Sequence, residues 1–412
     1  MCTTELAEAC IEDANNTLVA PSLLHDDEAV RDFFGTVITP EDLASGPPDL
    51  AHKTVYLCGD ISRVDGHRLR TAARVFVIRE LSHGYHEDVD RSWTLVDLGR
   101  VPLRVHGAGV YYRRFFETGA DHFGRIRAEH EFQSLTESTK PGTARRSGIY
   151  LTPVTRNGDE LHFRLLRCST NFSGPTESFR PTDMHIIEDL NHEADTVFRG
   201  HAPLNHVLAQ IYHNTLATAE RKQSKAKISA HADKTKDMPA NGIMAFCTFY
   251  DRLDELQPLA EDPFDYGVKG VSGLTKLHFR LKDTNEELDG AAFPPQFSLT
   301  LYPGSVFFMP LSTNRLYTHE IRSSMLGAEV LPTRLGYVVR CSSAEAVHKN
   351  GHTFLKVAGE AGDLVKLEPP TPAGMAELRR LYAEENRTSS FIDYGNKFPF
   401  SMNAGDYIAP RV

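Results

Sequence analysis

At about 150 residues per domain, a chain of 412 residues has room for two or three domains, or for one large domain with additions. Hydrophobic residues at 41% and charged residues at 24% are ordinary globular values and exclude disorder as the main state. Lys and Arg number 45 against 55 Asp and Glu; the resulting net charge of −10 excludes a general nucleic-acid coat and leaves room for a local basic patch.

The six cysteines, Cys2, Cys10, Cys58, Cys168, Cys247 and Cys341, are scattered and include no C-x-x-C pair. That argues against a zinc ribbon or a disulfide scaffold and fits a reducing compartment. No apolar run approaches the roughly 20 residues needed to span a bilayer. The acidic start, MCTTELAEACIEDANN, lacks the basic and apolar regions of a signal peptide. A soluble cytoplasmic protein without membrane partners is expected.

In chain order, residues 1–50 are predicted to be a helical segment ending in the linker SGPPDL. Residues 51–160 form a β-rich region, with strands expected at TVYLC, RVFVIREL, WTLVDL and GVYYRRFF. Residues 117–147 have the composition of a loop, and Thr182-Asp183 caps a helix running to about Asp195. The span 161–345 changes rhythm: HVLAQIYHN, KISAHADK, GIMAFCTFYD, TKLHFRLKD, FSLTLYPGSVFFMP and RLGYVVRCS are short strands between turns, as in an antiparallel sandwich, barrel or jelly roll. Residues 346–412 hold the helix AGMAELRRLYAEEN and an irregular tail that pack on this core.

The chemistry-bearing motif is His231-Ala232-Asp233, whose imidazole and carboxylate share a face if the chain is extended. Similar triplets at His25 and His86 sit in acidic, loop-like surroundings and read as surface. His319 lies 88 residues after His231, beside a strongly β-rich stretch. Two histidines and one carboxylate are the ligand set of non-haem iron oxygenases, which leaves three metal positions open. Downstream, Arg334 and Arg340 are six residues apart, so both face one way in a strand. A guanidinium is the natural partner of a dicarboxylic acid's far carboxylate.

LAQIY (208–212), HADKTKD (231–237), STNRLYTHEI (312–321) and RLGYVVR (334–340), preceded by GPTESFRPTD (174–183), resemble the AlkB-like branch of the Fe(II)/2-oxoglutarate-dependent dioxygenases over about residues 165–345. The resemblance implies an α+β fold: a double-stranded β-helix (jelly-roll) core with flanking helices and an N-terminal β-rich extension. It implies Fe(II), 2-oxoglutarate and O2, with His231, Asp233 and His319 as metal ligands. Arg334, Arg340, Tyr212 and Gln210 would contact the cosubstrate; Gln210 stands where the family usually has Asn. The interval between the histidines is longer than usual in the family, which points to an acidic insertion at Arg252–Gly270. The first 160 residues replace the family's substrate-reading lid and match nothing assignable.

Several residues keep a second reading. Arg340 has an acidic side chain as its alternative partner, and Tyr212 is equally a core tyrosine. Arg221–Lys236, with six basic residues and one acid, is either a solvated loop or a patch that draws in an anion. The Tyr/Arg/Phe run within Gly107–Arg127 is a strand with one apolar face or a base-stacking surface. Two functions follow: oxidation of a C–H bond in a small anionic or amino-acid-like molecule, favoured by the acidic net charge, or demethylation of an alkylated nucleobase. Oligomeric state is not legible.

Overall fold

The computed structural model describes residues 8–11, 16–21, 34, 36–46, 49–85, 93–135, 146–168, 173–220, 222–225, 227–282, 293–356, 363–395 and 397–412. The protein is mixed α+β and contains several sheets. The triplets at His25 and His86 lie outside the described residues. No helix among the described residues is long and apolar enough to cross a membrane.

The first unit is a five-stranded sheet of β1 (Asn16–Val19), β2 (Thr36–Ile38), β3 (Thr54–Asp60), β4 (Arg74–His83) and β5 (Thr94–Val96). Its order is β2-β1-β3-β4-β5, and every pairing is parallel. The helical expectation for residues 1–50 is therefore corrected: β1 and β2 are strands, and the helix α1 is short (Pro40–Ser45). Parallel strands are buried on both faces and read as continuous apolar runs. In β3, Val55 and Leu57 pack on one side while Tyr56 and Cys58 pack on the other.

Next come β6 (Leu103–Val105), β7 (Gly109–Tyr112) and the helix α2 (His122–Glu129). The helix corrects the loop expected over 117–147; Asp121 starts it by accepting from the Gly124 amide at 3.0 Å. β8 (Arg146–Thr152) and the helix α3 (Pro181–Val197) follow, the latter beginning one residue before the expected Thr182. Tyr111, Tyr112, Phe115 and Phe116 are buried, so the aromatic run is core and not a stacking surface.

Eight further strands carry the site. They are β9 (His206–Tyr212), β10 (Ile228–His231), β11 (Ile243–Asp251), β12 (Lys276–Leu281), β13 (Gln296–Thr300), β14 (Val306–Pro310), β15 (Tyr317–Arg322) and β16 (Thr333–Arg340). The helix α4 (Leu311–Leu316) links β14 to β15, and α5 (Pro372–Arg387) lies near the C-terminus. One sheet runs β8-β9-β16-β11-β14-β7-β6, the other β10-β15-β12-β13. Met244, Phe246 and Phe307 of the first sheet share one apolar cluster with Leu277, Phe279 and Ile321 of the second, so the sheets pack face to face. The outer side of the larger sheet meets α3, whose Ile186, Leu190 and Ala194 recur at helical spacing. Burial of Ile186 and Leu190 contributes about 1.5–3 kcal/mol each.

The stretch Arg252–Gly270 contributes two strands of a small three-stranded sheet, Gln257–Pro258 and Tyr266–Val268; the third is Val271–Ser272. Arg113 and Arg114 pin it by stacking over Phe264 at 4.3 and 4.7 Å.

Candidate metal centre and its cavity

Strand alternation decides what faces the space between the sheets. On β16, Leu335, Tyr337 and Val339 go to the outer core, while Arg334, Val338 and Arg340 line a cavity of about 260 Å³. On β9, Gln210 and Tyr212 line the same cavity. His231, Asp233 and His319 line it from the other side. All seven residues singled out in the sequence thus meet in one place.

His231 ends β10 directly opposite His319 on β15, which brings their ring centroids to 4.5 Å. Asp233 follows two residues beyond, its Oδ1 3.8 Å from His231 Nε2. One candidate ligand atom from each of the three lies within 4.8 Å of the others, a group able to hold a metal ion. His319 Nδ1 is buried without a hydrogen-bond partner, and burial pushes this imidazole down to about 3. It is neutral at neutral pH, with a lone pair free to bind a metal. Burial raises the Asp233 carboxyl, but the Arg340 guanidinium outweighs it and holds the carboxyl well below its ordinary range. An ionised carboxylate beside imidazole nitrogens is the donor set that a divalent transition metal takes.

Arg340 and Arg334 have different surroundings. Arg340 donates from Nη2 and Nε to Asp233 Oδ2, at 2.8 and 3.2 Å. Its first partner is therefore the acidic side chain, and it fixes the carboxylate's orientation. Arg334 lies over the Tyr212 ring at 4.3 Å, and its buried Nε has no hydrogen-bond partner. Gly336 makes room for this: a Cβ there would sit 3.1 Å from Arg334 Nη1 and 3.2 Å from the Tyr212 ring. The Tyr212 hydroxyl donates to Gln210 Oε1 at 3.0 Å.

The backbone of the metal motif is held by residues that sequence reasoning missed. Asn314 accepts from the Asp233 amide at 2.8 Å and donates to its carbonyl at 2.9 Å. Asn386, the penultimate residue of α5, accepts from the Ala232 amide at 2.7 Å. Glu385 accepts from the Thr235 amide at 3.1 Å. The buried Lys282 ammonium joins these supports by donating to the carbonyls of Asn314 at 3.1 Å and Glu385 at 2.7 Å. No local signal marks Asn386, which sits 153 residues from Asp233; Asn314 at least lay inside the recognised STNRLYTHEI stretch. In the basic run, Lys225 donates to the carbonyls of Ser324 and Leu326 at 2.7 and 3.0 Å, and Lys236 pairs with Asp237 at 3.1 Å. With Lys234 donating to the Tyr382 carbonyl at 3.3 Å, three of its charges are used internally.

No protein-family model matches the chain, and no curated protein matches it. Solved structures similar to it include a prolyl-4-hydroxylase from Pseudomonas putida, at 11% identity and TM-score 0.28, covering 56% of this chain and 91% of that one. Another is OsALKBH1, at 12% identity and TM-score 0.32, covering 57% and 97%. A third is the non-heme alpha ketoglutarate dependent epimerase SnoN from nogalamycin biosynthesis, at 13% identity and TM-score 0.34, covering 65% and 92%. With every one of these TM-scores under 0.5, the functional reading stands on the geometry of the site.

Proposed function

We propose that the chain is an Fe(II)- and 2-oxoglutarate-dependent dioxygenase with an AlkB-like, double-stranded β-helix core. The single observation behind this reading is the convergence, in one cavity, of the His231/Asp233/His319 group with Arg334, a buried guanidinium whose Nε is unpartnered. The division of β9 to β16 between two facing sheets, with β9, β11, β14 and β16 in one and β10, β12, β13 and β15 in the other, supports the β-helix reading. The substrate is a small anionic or amino-acid-like molecule, oxidised at a C–H bond by hydroxylation, desaturation or oxidative cyclisation. The site of action is the cytoplasm.

When bound, Fe(II) with 2-oxoglutarate and O2 supplies the oxidising chemistry, releasing succinate and CO2. The chain's own residues do the positioning. His231, Asp233 and His319 would hold the metal, and Arg340 keeps Asp233 ionised and oriented. Arg334, stacked on Tyr212, would hold the far carboxylate of the cosubstrate. Gln210 orients the Tyr212 hydroxyl beside it. Phe246, Leu277 and Leu301 give the cavity apolar walls that keep water from the reacting carbon.

The test is succinate release from 2-oxoglutarate by Fe(II)-loaded protein, with His231→Ala defining background. Amino-acid-like metabolites are expected to stimulate release. Stimulation by methylated single-stranded oligonucleotide, with formaldehyde appearing in step, would replace the small-molecule reading with nucleobase demethylation. No release above the His231→Ala background, with any substrate or none, would remove the dioxygenase reading.

A further inference from the structure

Arg146 is the first residue of β8, and its side chain lines the metal cavity. It stands directly opposite Tyr212, which stands directly opposite Arg334. The three form a row across adjacent strands, with the tyrosine between two guanidiniums. Neighbouring strands are about 4.8 Å apart, so the two arginine backbones are separated by roughly 10 Å. Arg146 Nε is buried and has no hydrogen-bond partner. A buried donor left unmade costs about 1–3 kcal/mol, more when charged. A ligand that completes it removes that cost.

The charges of the cavity point the same way. Among the described residues its charged lining is Arg146, Lys234, Arg334 and Arg340 against one carboxylate, Asp233. Arg340 is taken by Asp233, and Lys234 donates to the Tyr382 carbonyl at 3.3 Å. Two guanidiniums are left, and the far carboxylate of one cosubstrate serves one of them. The wall beyond Arg146 shows what the rest of the ligand is. Two residues along β8, the space beside Gly148 is already filled: a Cβ there would lie 3.1 Å from the Ala209 carbonyl oxygen, 3.2 Å from Gln210 Cγ and 3.3 Å from Leu135 Cδ1. Two residues further, Tyr150 forms a small apolar cluster with Leu135 and Leu208, separate from the main cores.

We infer that Arg146 anchors a carboxylate of the primary substrate, whose short apolar body lies against Tyr150 and Leu208, which line the same cavity. The inference rests on the dioxygenase reading and gives its substrate class a definite polarity: anionic head at Arg146, apolar segment toward the metal centre. It also assigns a task to β8, which falls within the N-terminal 160 residues that match no family pattern.

The experiment uses the full chain loaded with Mn(II) and saturated with 2-oxoglutarate under nitrogen, with butyrate as the probe and butyramide as its neutral match. Calorimetry on the wild type should register butyrate and not butyramide. Arg146→Gln should weaken butyrate by about tenfold or more, the scale of a lost charge-assisted pair, and leave 2-oxoglutarate affinity unchanged. Arg146→Lys keeps the charge, guards against a folding defect, and should fall between. Butyrate binding that is absent from the wild type, or indifferent to Arg146→Gln, would overturn the inference. So would loss of 2-oxoglutarate affinity in Arg146→Gln, which would move Arg146 to the cosubstrate. A wild type that binds no 2-oxoglutarate sinks the dioxygenase reading itself and takes the inference with it, a result distinct from loss of butyrate alone.

Discussion

Arg334 and Arg340 share a strand and a face, and their neighbours give them different work. Arg334 has an unpartnered Nε and an aromatic platform, so its fork is available to a ligand. Arg334→Gln is expected to weaken 2-oxoglutarate binding to the Mn(II) protein by about tenfold or more, since hydrogen bonds to charged groups are worth about 1.5–3 kcal/mol. Arg334→Lys should recover only part of that, because an ammonium has no planar fork. Unchanged calorimetric titrations would refute the assignment. Arg340 is committed to Asp233, and both are buried. Asp233→Ala should abolish metal binding and also lower stability by roughly 3–5 kcal/mol, because it strands a buried guanidinium. Denaturant unfolding of the metal-free protein isolates the second effect; an unaltered midpoint would mean that Arg340 finds water or another acceptor.

At the scale of elements, the C-terminal end of α5 behaves as part of the metal centre. Asn386 and Glu385 hold the amides of Ala232 and Thr235, and Lys282 ties the end of the helix to Asn314. Asn386→Ala is expected to leave the fold intact and loosen the metal motif, weakening Co(II) or Mn(II) affinity by about 10-fold, as loss of outer-sphere support does at metal sites. A Co(II) absorption titration reads this directly. If metal affinity holds while thermal stability drops, the contact is merely structural. This support is invisible in the sequence, where AGMAELRRLYAEEN reads only as a helix packing on the core. The strands were easier: alternation placed Arg334 with Arg340, because period two is a local property of extended backbone. The short helix α2 and the parallel β1 and β2 were not legible, since short elements are decided by what they pack against.

For the whole molecule, a buried polar network on the outer side of the larger sheet ties the C-terminus to α3 and β16. His130 bridges Glu177 at 3.0 Å and Asp183 at 2.7 Å, Tyr337 donates to Asp183 at 2.7 Å, and Arg411 reaches Glu177 at 2.9 Å. Burial alone would lower the His130 pKa; Asp183 and Glu177 outweigh it and lift the pKa to about 9. The folded value lies above the unfolded one of about 6.5. Its stabilisation is therefore complete below the unfolded pKa and is lost as pH rises through about 9. The stability difference between wild type and His130→Gln should accordingly be largest below pH 6.5 and shrink through pH 9, measured by urea unfolding across that range. A difference independent of pH would show that His130 is neutral in the folded protein.

The sequence by itself determined the chemical types at the site and their local spacing: an H-x-D pair, a later histidine, two arginines on one strand face. These follow from covalent order and strand alternation, which need no knowledge of partners. Only the tertiary structure decided that His231 meets His319 across β10 and β15, that Asp233 claims Arg340, that Arg146 enters the wall, and that Asn386 supports the motif. Each of those depends on register between strands or on docking of a distant helix, and such long-range geometry is set by how the sheets and helices bury one another's apolar faces.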